Sequence, residues 1–187
     1  MGIIISQKRS TYKVILIGDP RVGKTSIRKR YLGAGFKENY LVTLGADFAI
    51  KRLGADVIQI WDLAGQAVYK SVREGYYKGA EGLVLVFDVT NVDSFTNLPK
   101  WLNEVINKTN SIIPMILVGN KADLRDNNSG EHVIQEDASN YAESLANWSG
   151  FEVPYFESSA LNGLNIEEIF LNLKAEIDNY KASQAGS

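Results

Sequence analysis

The sequence predicts a single α/β domain with three layers, in which helices flank both faces of a six-stranded, mostly parallel β-sheet. Two observations support this prediction. Short apolar runs alternate along the chain with longer segments that have helical periodicity. Several of these runs, such as Leu83–Phe87, are continuously apolar, which is typical of parallel strands covered on both faces. The length of 187 residues also suits one domain with a full hydrophobic core.

The predicted strands, in chain order, are Tyr12–Ile17, Asp47–Leu53, Asp56–Trp61, Leu83–Asp88, Pro114–Val118 and Pro154–Glu157. The second and third strands lie too close in sequence for a crossover helix, so we expect them to form an antiparallel hairpin. The predicted helices are Lys24–Leu32, Gln66–Tyr77, Ser94–Asn107, Gln135–Ala146 and Ile166–Tyr180. Pro99 is expected near a helix start or a kink. The domain therefore spans residues 12–180, between an N-terminal extension (1–11) and a short C-terminal tail (181–187).

Composition excludes several classes of protein. Lys and Arg total 20 against 22 Asp and Glu, a net charge of −2, which argues against a nucleic-acid-binding protein. The chain has no cysteine, so a disulfide framework, thiolate metal sites and cysteine catalysis are excluded. No apolar run approaches the roughly 20 residues that a membrane-spanning helix needs. We expect a cytoplasmic monomer.

Residues Gly18–Thr25 fit the pattern G-x-x-x-x-G-K-[ST] between a predicted strand and a predicted helix. The glycines allow several backbone N–H groups to point at one phosphate, next to the positive end of the helix. Lys24 is expected to neutralise the β- and γ-phosphates, and Thr25 to give its hydroxyl to Mg²⁺. The residues predicted to bind the phosphates are Asp19, Arg21, Val22, Gly23, Lys24, Thr25 and Ser26.

Two further motifs follow strands and complete the predicted site. Asn120-Lys121-Ala122-Asp123 favours guanine, because the Asp123 carboxylate can accept from N1–H and the N2 amine, which adenine lacks. The Lys121 stem is expected to lie on the flat face of the base. In the run Asp62–Gln66, Asp62 is expected to hold the Mg²⁺ shell, Gly65 to approach the γ-phosphate through its N–H, and Gln66 to orient the attacking water.

These motifs, in this order, resemble those of a small GTPase of the Ras superfamily, most closely the Rab subfamily, over roughly residues 12–180. The resemblance implies the P-loop NTPase fold called a G domain, with GTP or GDP and Mg²⁺ as ligands. The resemblance also implies that Thr43 closes onto Mg²⁺ and the γ-phosphate.

The resemblance further implies contacts with the base and with partner proteins. Base contacts are implied for Phe36, Ser159 and Ala160. Effectors, an exchange factor and a GTPase-activating protein would bind the switch regions Phe36–Gly45 and Ala64–Tyr77 and the aromatic side chains Phe48, Trp61 and Tyr76. Without the family context, such an aromatic triad is more often part of the core than of an interface.

The sequence departs from the Rab pattern at several positions. Pro20 replaces a small residue in the phosphate loop, and Ala67 replaces a glutamate implicated in nucleotide exchange. A nucleotide-locked scaffold that binds GTP without hydrolysing it therefore stays as an alternative, as does a P-loop kinase or ATPase acting on a small substrate. Residues 1–6 fit the pattern for myristoylation at Gly2, which would allow peripheral membrane association. The alternative interpretation is that they are a hydrophobic segment leading into the first strand. The sequence therefore predicts a molecular switch that hydrolyses GTP slowly. Gln66 and Lys24 are its predicted catalytic residues, and the predicted role is Rab-like regulation of membrane traffic or signalling.

Overall fold

The computed structural model describes residues 9–34, 43–125 and 132–185. Its strands are β1 (Thr11–Ile17), β2 (Ala46–Leu53), β3 (Asp56–Leu63), β4 (Gly82–Asp88), β5 (Met115–Asn120) and β6 (Tyr155–Glu157). Its α-helices are α1 (Lys24–Tyr31), α2 (Lys70–Glu74), α3 (Val92–Thr96), α4 (Leu98–Thr109), α5 (Gln135–Ser149) and α6 (Ile166–Ala185). Short 3₁₀ turns cover Ala67–Tyr69 and Ala122–Leu124.

The strands form one six-stranded sheet in the order β2-β3-β1-β4-β5-β6. All neighbouring strands are parallel except β2 and β3, which form the predicted antiparallel hairpin. Successive side chains of a strand point to opposite faces, so each central strand supplies two cores. Ile15 and Leu85 pack in the cluster with α4 and α5, whereas Leu16 and Val84 pack in the cluster with α1 and α6. The predicted three-layer α/β fold is confirmed.

The helices depart from the prediction mainly at three places. The helix expected over Ser94–Asn107 is interrupted at Asn97, so that α3 and α4 together occupy the place of one of the five predicted helices. Pro99 lies in the first turn of α4, where its missing N–H costs no intrahelical hydrogen bond. The helix expected over Gln66–Tyr77 shortens to a 3₁₀ turn and α2. Residues 181–185, assigned to the tail by the sequence, continue α6.

Candidate nucleotide-binding site

Four loops converge at one edge of the sheet, because the carboxyl ends of parallel strands lie together. The loop after β1 carries the glycine-rich motif, and the loop after β3 carries Ala64–Gln66. The loops after β5 and β6 carry Lys121–Asp123 and Ser158–Ala160. This edge brings together the predicted phosphate, metal and base residues that the structure describes. Phe36 lies outside the described residues.

The phosphate loop runs from Gly18 into the N-terminus of α1. Gly23 has a φ of 101°, and a Cβ there would lie 2.1 Å from Asn120 Nδ2, so only glycine fits. Lys24 is buried, and its Nζ donates to the carbonyls of Gly18 (2.7 Å) and Asp19 (2.8 Å). Burial lowers the pKa of Lys24 to about 8, against the opposing charges of Asp62 and Asp19.

The remaining phosphate-loop residues have distinct positions. Val22 is buried in the core beneath the loop. Ser26 follows Thr25 in the first turn of α1 and is half-buried. Arg21 is exposed and has a φ of 68°, a left-handed conformation that is uncommon for a residue with a Cβ.

Thr25, Thr43 and Asp62 meet at the start of α1. The Oγ1 atoms of Thr25 and Thr43 lie 3.0 Å apart, and the Thr25 hydroxyl donates to Asp62 Oδ2. Asp62 is fully buried, and its Oδ1 has no hydrogen-bond partner among the described residues. Burial raises the pKa of Asp62, opposed by the Thr25 hydrogen bond and by Lys24 and Arg28. Hydroxyl and carboxylate oxygens with a free buried lone pair fit a hard cation such as Mg²⁺.

The base loop is fastened to the phosphate loop through Asn120. Its Nδ2 donates to the Val22 carbonyl (2.8 Å), and its Oδ1 accepts from Ser158 Oγ (3.2 Å) and the Ala160 N–H (3.3 Å). Both polar atoms of this buried amide therefore serve to join three loops. Asn120 is a structural link between loops as well as part of the predicted base motif.

Lys121 and Asp123 follow Asn120 in the base loop. Asp123 is exposed, and Ser159 Oγ donates to its Oδ1, which orients the carboxylate. Lys121 has a φ of 67°, and its Nζ lies 2.5 Å from Asp88 Oδ2. The ion pair fixes the end of the Lys121 side chain. The contact of its stem with a base stays a prediction.

The loop after β3 lies directly against the phosphate loop. A Cβ on Gly65 would lie 2.5 Å from Pro20 N and 2.7 Å from Asp19 C, so only glycine permits this approach. Gln66 follows at the start of the 3₁₀ turn, and its Oε1 is buried without a hydrogen-bond partner among the described residues. The Gln66 carboxamide oxygen therefore has no acceptor role in the contacts that the described residues make.

Sequence reasoning missed the network that holds Gln66 in place. The Arg73 guanidinium donates to the carbonyls of Gln66 (2.8 Å) and Ala64 (3.3 Å), and forms a bidentate pair with Glu104 of α4 at 2.7 and 2.8 Å. The Tyr77 hydroxyl donates to the same carboxylate at 2.6 Å. Arg73 and Tyr77 lie one helical turn apart in sequence, but nothing local identifies Glu104 as their partner.

Helix α4 also holds the phosphate loop. Trp101 Nε1 donates to Asp19 Oδ1 (2.6 Å), and Asn97 Nδ2 donates to Asp19 Oδ2 (2.8 Å). The Arg73 guanidinium lies 4.6 Å from the centre of the Trp101 ring, a cation–π contact. The predicted phosphate-loop residue Asp19 therefore uses its side chain to anchor the loop.

The aromatic side chains Phe48, Trp61 and Tyr76 form a continuous row. The ring centres of Phe48 and Trp61 lie 4.6 Å apart, and those of Trp61 and Tyr76 lie 5.0 Å apart. Phe48 is 41% exposed, and so is much of Leu44, which precedes it in the chain. Val68 and Val72, which precede Tyr76, are also exposed. The row combines packing within the protein with an apolar surface. Within the described ranges, no helix has both the length and the apolar character needed to cross a membrane.

Comparison with known sequences gives matches along nearly the whole chain. Residues 13–179 match the Ras family. The chain is 37% identical over 177 residues to Ras-related protein RIC1 of Oryza sativa subsp. japonica, covering 92% of this chain and 83% of that protein. It is 38% identical over 172 residues to Ras-related protein Rab-1D of Dictyostelium discoideum (90% and 80% covered). It is 36% identical over 180 residues to GTP-binding protein YPTM1 of Zea mays (94% and 81% covered).

Proposed function

The chain belongs to the Ras family, and from that membership and the site geometry we propose that it is a switch that binds GTP and GDP with Mg²⁺ and hydrolyses GTP slowly. As a Rab-like small GTPase it has a GTP-binding regulatory role and GTPase activity. Beyond the family membership, we propose the roles of individual residues, Mg²⁺ as the metal ion and a slow rate of GTP hydrolysis.

The meeting of Thr25, Thr43 and Asp62 is the observation that carries the proposal. It joins the phosphate loop, the segment before β2 and the end of β3 within hydrogen-bond distance. These three residues would hold Mg²⁺, which would supply positive charge to the β- and γ-phosphates. The position of Thr43 against the phosphate loop supports a closed segment whose release follows loss of the γ-phosphate.

Catalysis in this site depends on positioning and charge. Gln66 is held through its carbonyl by Arg73, which leaves its side chain to orient a water. Lys24 is fixed by two carbonyls and places its ammonium charge under the phosphate loop. The roles assigned to these residues need no general base, and intrinsic hydrolysis in Ras-like proteins is slow, on the order of 10⁻⁴ s⁻¹.

The switch would be recognised through its ordered segments. Residues 36–45 and 64–77 would close on GTP and open after hydrolysis, and effectors, exchange factors and GTPase-activating proteins would bind there. Residues 36–42 lie outside the described residues. The exposed edge of Phe48 and its contact with Trp61 support an apolar docking row beside these segments. A Rab-like role in membrane traffic, with peripheral attachment through an acylated Gly2, completes the proposal. Gly2 lies outside the described residues.

Nucleotide selectivity tests the ligand. Purified chain is stripped of nucleotide, and binding of fluorescent GDP is competed with GTP, GDP and ATP in the presence of Mg²⁺. We expect GTP and GDP to compete at least 100-fold better than ATP, because losing two hydrogen bonds to the charged Asp123 costs about 3 kcal/mol or more. Equal competition by ATP would contradict guanine recognition and favour the kinase or ATPase alternative.

Hydrolysis is tested with Gln66→Leu in single-turnover assays on GTP-loaded protein. The substitution removes the water-orienting group and leaves the phosphate contacts, so we expect GTP affinity within about threefold and hydrolysis slower by about tenfold or more. The exposed Gln135→Leu on α5 is the matched control. Equal rates in wild type and Gln66→Leu would remove Gln66 from the mechanism, and absence of turnover in wild type would support the nucleotide-locked scaffold.

A further inference from the structure

Two carboxylates face each other across the β2–β3 hairpin beside the proposed metal site. Asp47 and Asp62 are direct partners in the antiparallel register, so their side chains lie on the same face of the sheet. Like charges at directly opposed positions are destabilising. One of the two, Asp62, is fully buried, whereas the Asp47 side chain is 54% exposed.

Arg28 of α1 lies between these carboxylates. Its side chain is 7% exposed, and its Nη2 donates to Asp47 Oδ2. Its Nε lies 3.9 Å from Asp62 Oδ2 and has no hydrogen-bond partner among the described residues. Arg28 follows Thr25 by three positions on the same helix, which places both side chains on one face. The guanidinium is therefore shared between an outer carboxylate and the carboxylate that accepts from Thr25.

We propose that Arg28 is a positioning residue whose positive charge limits how tightly this site retains Mg²⁺, and that the negative charge of Asp47 partly compensates for it. The inference rests on the proposed function, because it concerns nucleotide-bound Mg²⁺ at Thr25 and Asp62, the two predicted Mg²⁺ ligands that lie outside the segment proposed to open after hydrolysis. A fixed positive charge close to Asp62 opposes a divalent cation at the same oxygens, and the negative charge of Asp47 offsets that opposition. The Arg28–Asp47 pair sets the local charge without contacting nucleotide.

The proposal makes opposite predictions for the two partners. Arg28→Met removes the positive charge and leaves both carboxylates, so Mg²⁺ is held more tightly. Asp47→Asn leaves Arg28 with only Asp62 to neutralise it, so Mg²⁺ is held more weakly. If Arg28 served only to join α1 to the hairpin, both variants would loosen the site in the same direction. The sign of each shift therefore separates a charge effect from a scaffold effect.

The experiment measures release of fluorescent GDP from the full chain over a series of buffered free Mg²⁺ concentrations. We expect the concentration for half-maximal retention to fall about fivefold in Arg28→Met and to rise about fivefold in Asp47→Asn. The double variant Arg28→Met/Asp47→Asn should return to within about twofold of wild type, because the net local charge is restored. Arg52→Met, at an exposed position on the same strand, removes an equal charge far from Asp62 and should change nothing.

Thermal unfolding of the GDP-loaded proteins with and without Mg²⁺ gives a second readout, in which the Mg²⁺-dependent rise in Tm should be larger in Arg28→Met and smaller in Asp47→Asn. Shifts in the same direction, or no shift in either variant, overturn the inference. If Arg28→Met does not fold, an unchanged Mg²⁺ requirement in Asp47→Asn alone overturns it. Wild-type protein that fails to bind GDP, or releases it independently of Mg²⁺, overturns the proposed function and this inference together.

Discussion

Replacing Glu104 by leucine tests the buried network behind Gln66. In the wild type, the side chains of Arg73 and Glu104 are 4% and 8% exposed and are joined by a bidentate ion pair, to which Tyr77 adds a hydrogen bond. The substituted leucine would leave the Arg73 charge buried without a carboxylate and the Tyr77 hydroxyl without an acceptor. Breaking one partner of a buried pair costs about 3–5 kcal/mol.

The structure places the expected loss near the lower end of that range. Arg73 would keep its two carbonyl acceptors at Ala64 and Gln66, and the Trp101 ring would still cover its guanidinium. We therefore expect Glu104→Leu to lower the free energy of unfolding by about 3 kcal/mol. Glu104→Gln keeps the shape and one acceptor, so we expect it to lose about 1–2 kcal/mol.

Urea unfolding of the GDP- and Mg²⁺-loaded protein measures these losses. With an m-value of about 2 kcal/mol/M, the midpoint for Glu104→Leu should fall by about 1.5 M. The double variant Arg73→Met/Glu104→Leu removes both charges, and it should recover at least half of the loss, because an apolar pair of similar volume is tolerated there. A loss below about 1 kcal/mol for Glu104→Leu, or a double variant less stable than either single variant, would refute the reasoning.

The same pair predicts a pH dependence. Burial alone would raise the pKa of Glu104, but the hydrogen bonds from Arg73 and Tyr77 hold it below its usual value. A carboxyl whose pKa is lower in the folded state stabilises the protein above its unfolded pKa of about 4.3 and loses that contribution as the pH falls through the folded value. The stability difference between wild type and Glu104→Gln should therefore be full at about pH 6 and shrink below about pH 4.

Three further predictions concern the nucleotide site. Asp123→Asn should weaken GTP binding and admit xanthine nucleotides, since the amide donates where the carboxylate accepted; unchanged guanine preference in a competition assay would contradict the assignment. Arg21→Ala should change the rate of intrinsic hydrolysis less than about threefold, because the loop presents backbone amides to phosphate. A tenfold loss of the intrinsic rate in this variant would make Arg21 a catalytic arginine. Pro20→Gly should change the rate of hydrolysis assisted by an activating protein more than the intrinsic rate. Burial lowers the pKa of Lys24 to about 8, so Lys24 should take up a fraction of a proton on GDP binding at about pH 8, because the phosphate charge favours its protonated form. Calorimetry in buffers of different ionisation enthalpy measures this uptake, and a binding enthalpy independent of buffer would exclude it.

The sheet and its cores followed from sequence because their pattern is local. Short, continuously apolar runs and the short connection before Asp56 indicate the strand positions and the hairpin without information from distant residues. The phosphate loop was predictable for the same reason, since Gly18–Thr25 is one continuous motif. The role of Thr43 at Mg²⁺ and the γ-phosphate came from the family resemblance and stays a prediction, and the structure places its hydroxyl 3.0 Å from that of Thr25.

The contacts between distant segments were not predictable. Nothing in the local sequence of α4 indicates that Glu104 faces inward toward Arg73, since glutamate in an amphipathic helix is usually solvated. Arg28 has the same character, because an arginine among Ser26, Lys29 and Arg30 suggests an exposed helix surface. The burial of both residues is explained only by their partners in the fold, which are Arg73 for Glu104 and Asp47 for Arg28.

The interruption between α3 and α4 has a physical use in the site. Asn97 ends α3 and precedes α4, and at this junction its amide donates to Asp19 in the phosphate loop. Trp101, in the following turn, donates to the other oxygen of the same carboxylate and carries Arg73 on its ring face. One end of α4 therefore positions both the loop that would bind phosphate and the segment that would orient water. Since the two are held by a common element, a shift of α4 would move Asp19 and Gln66 together.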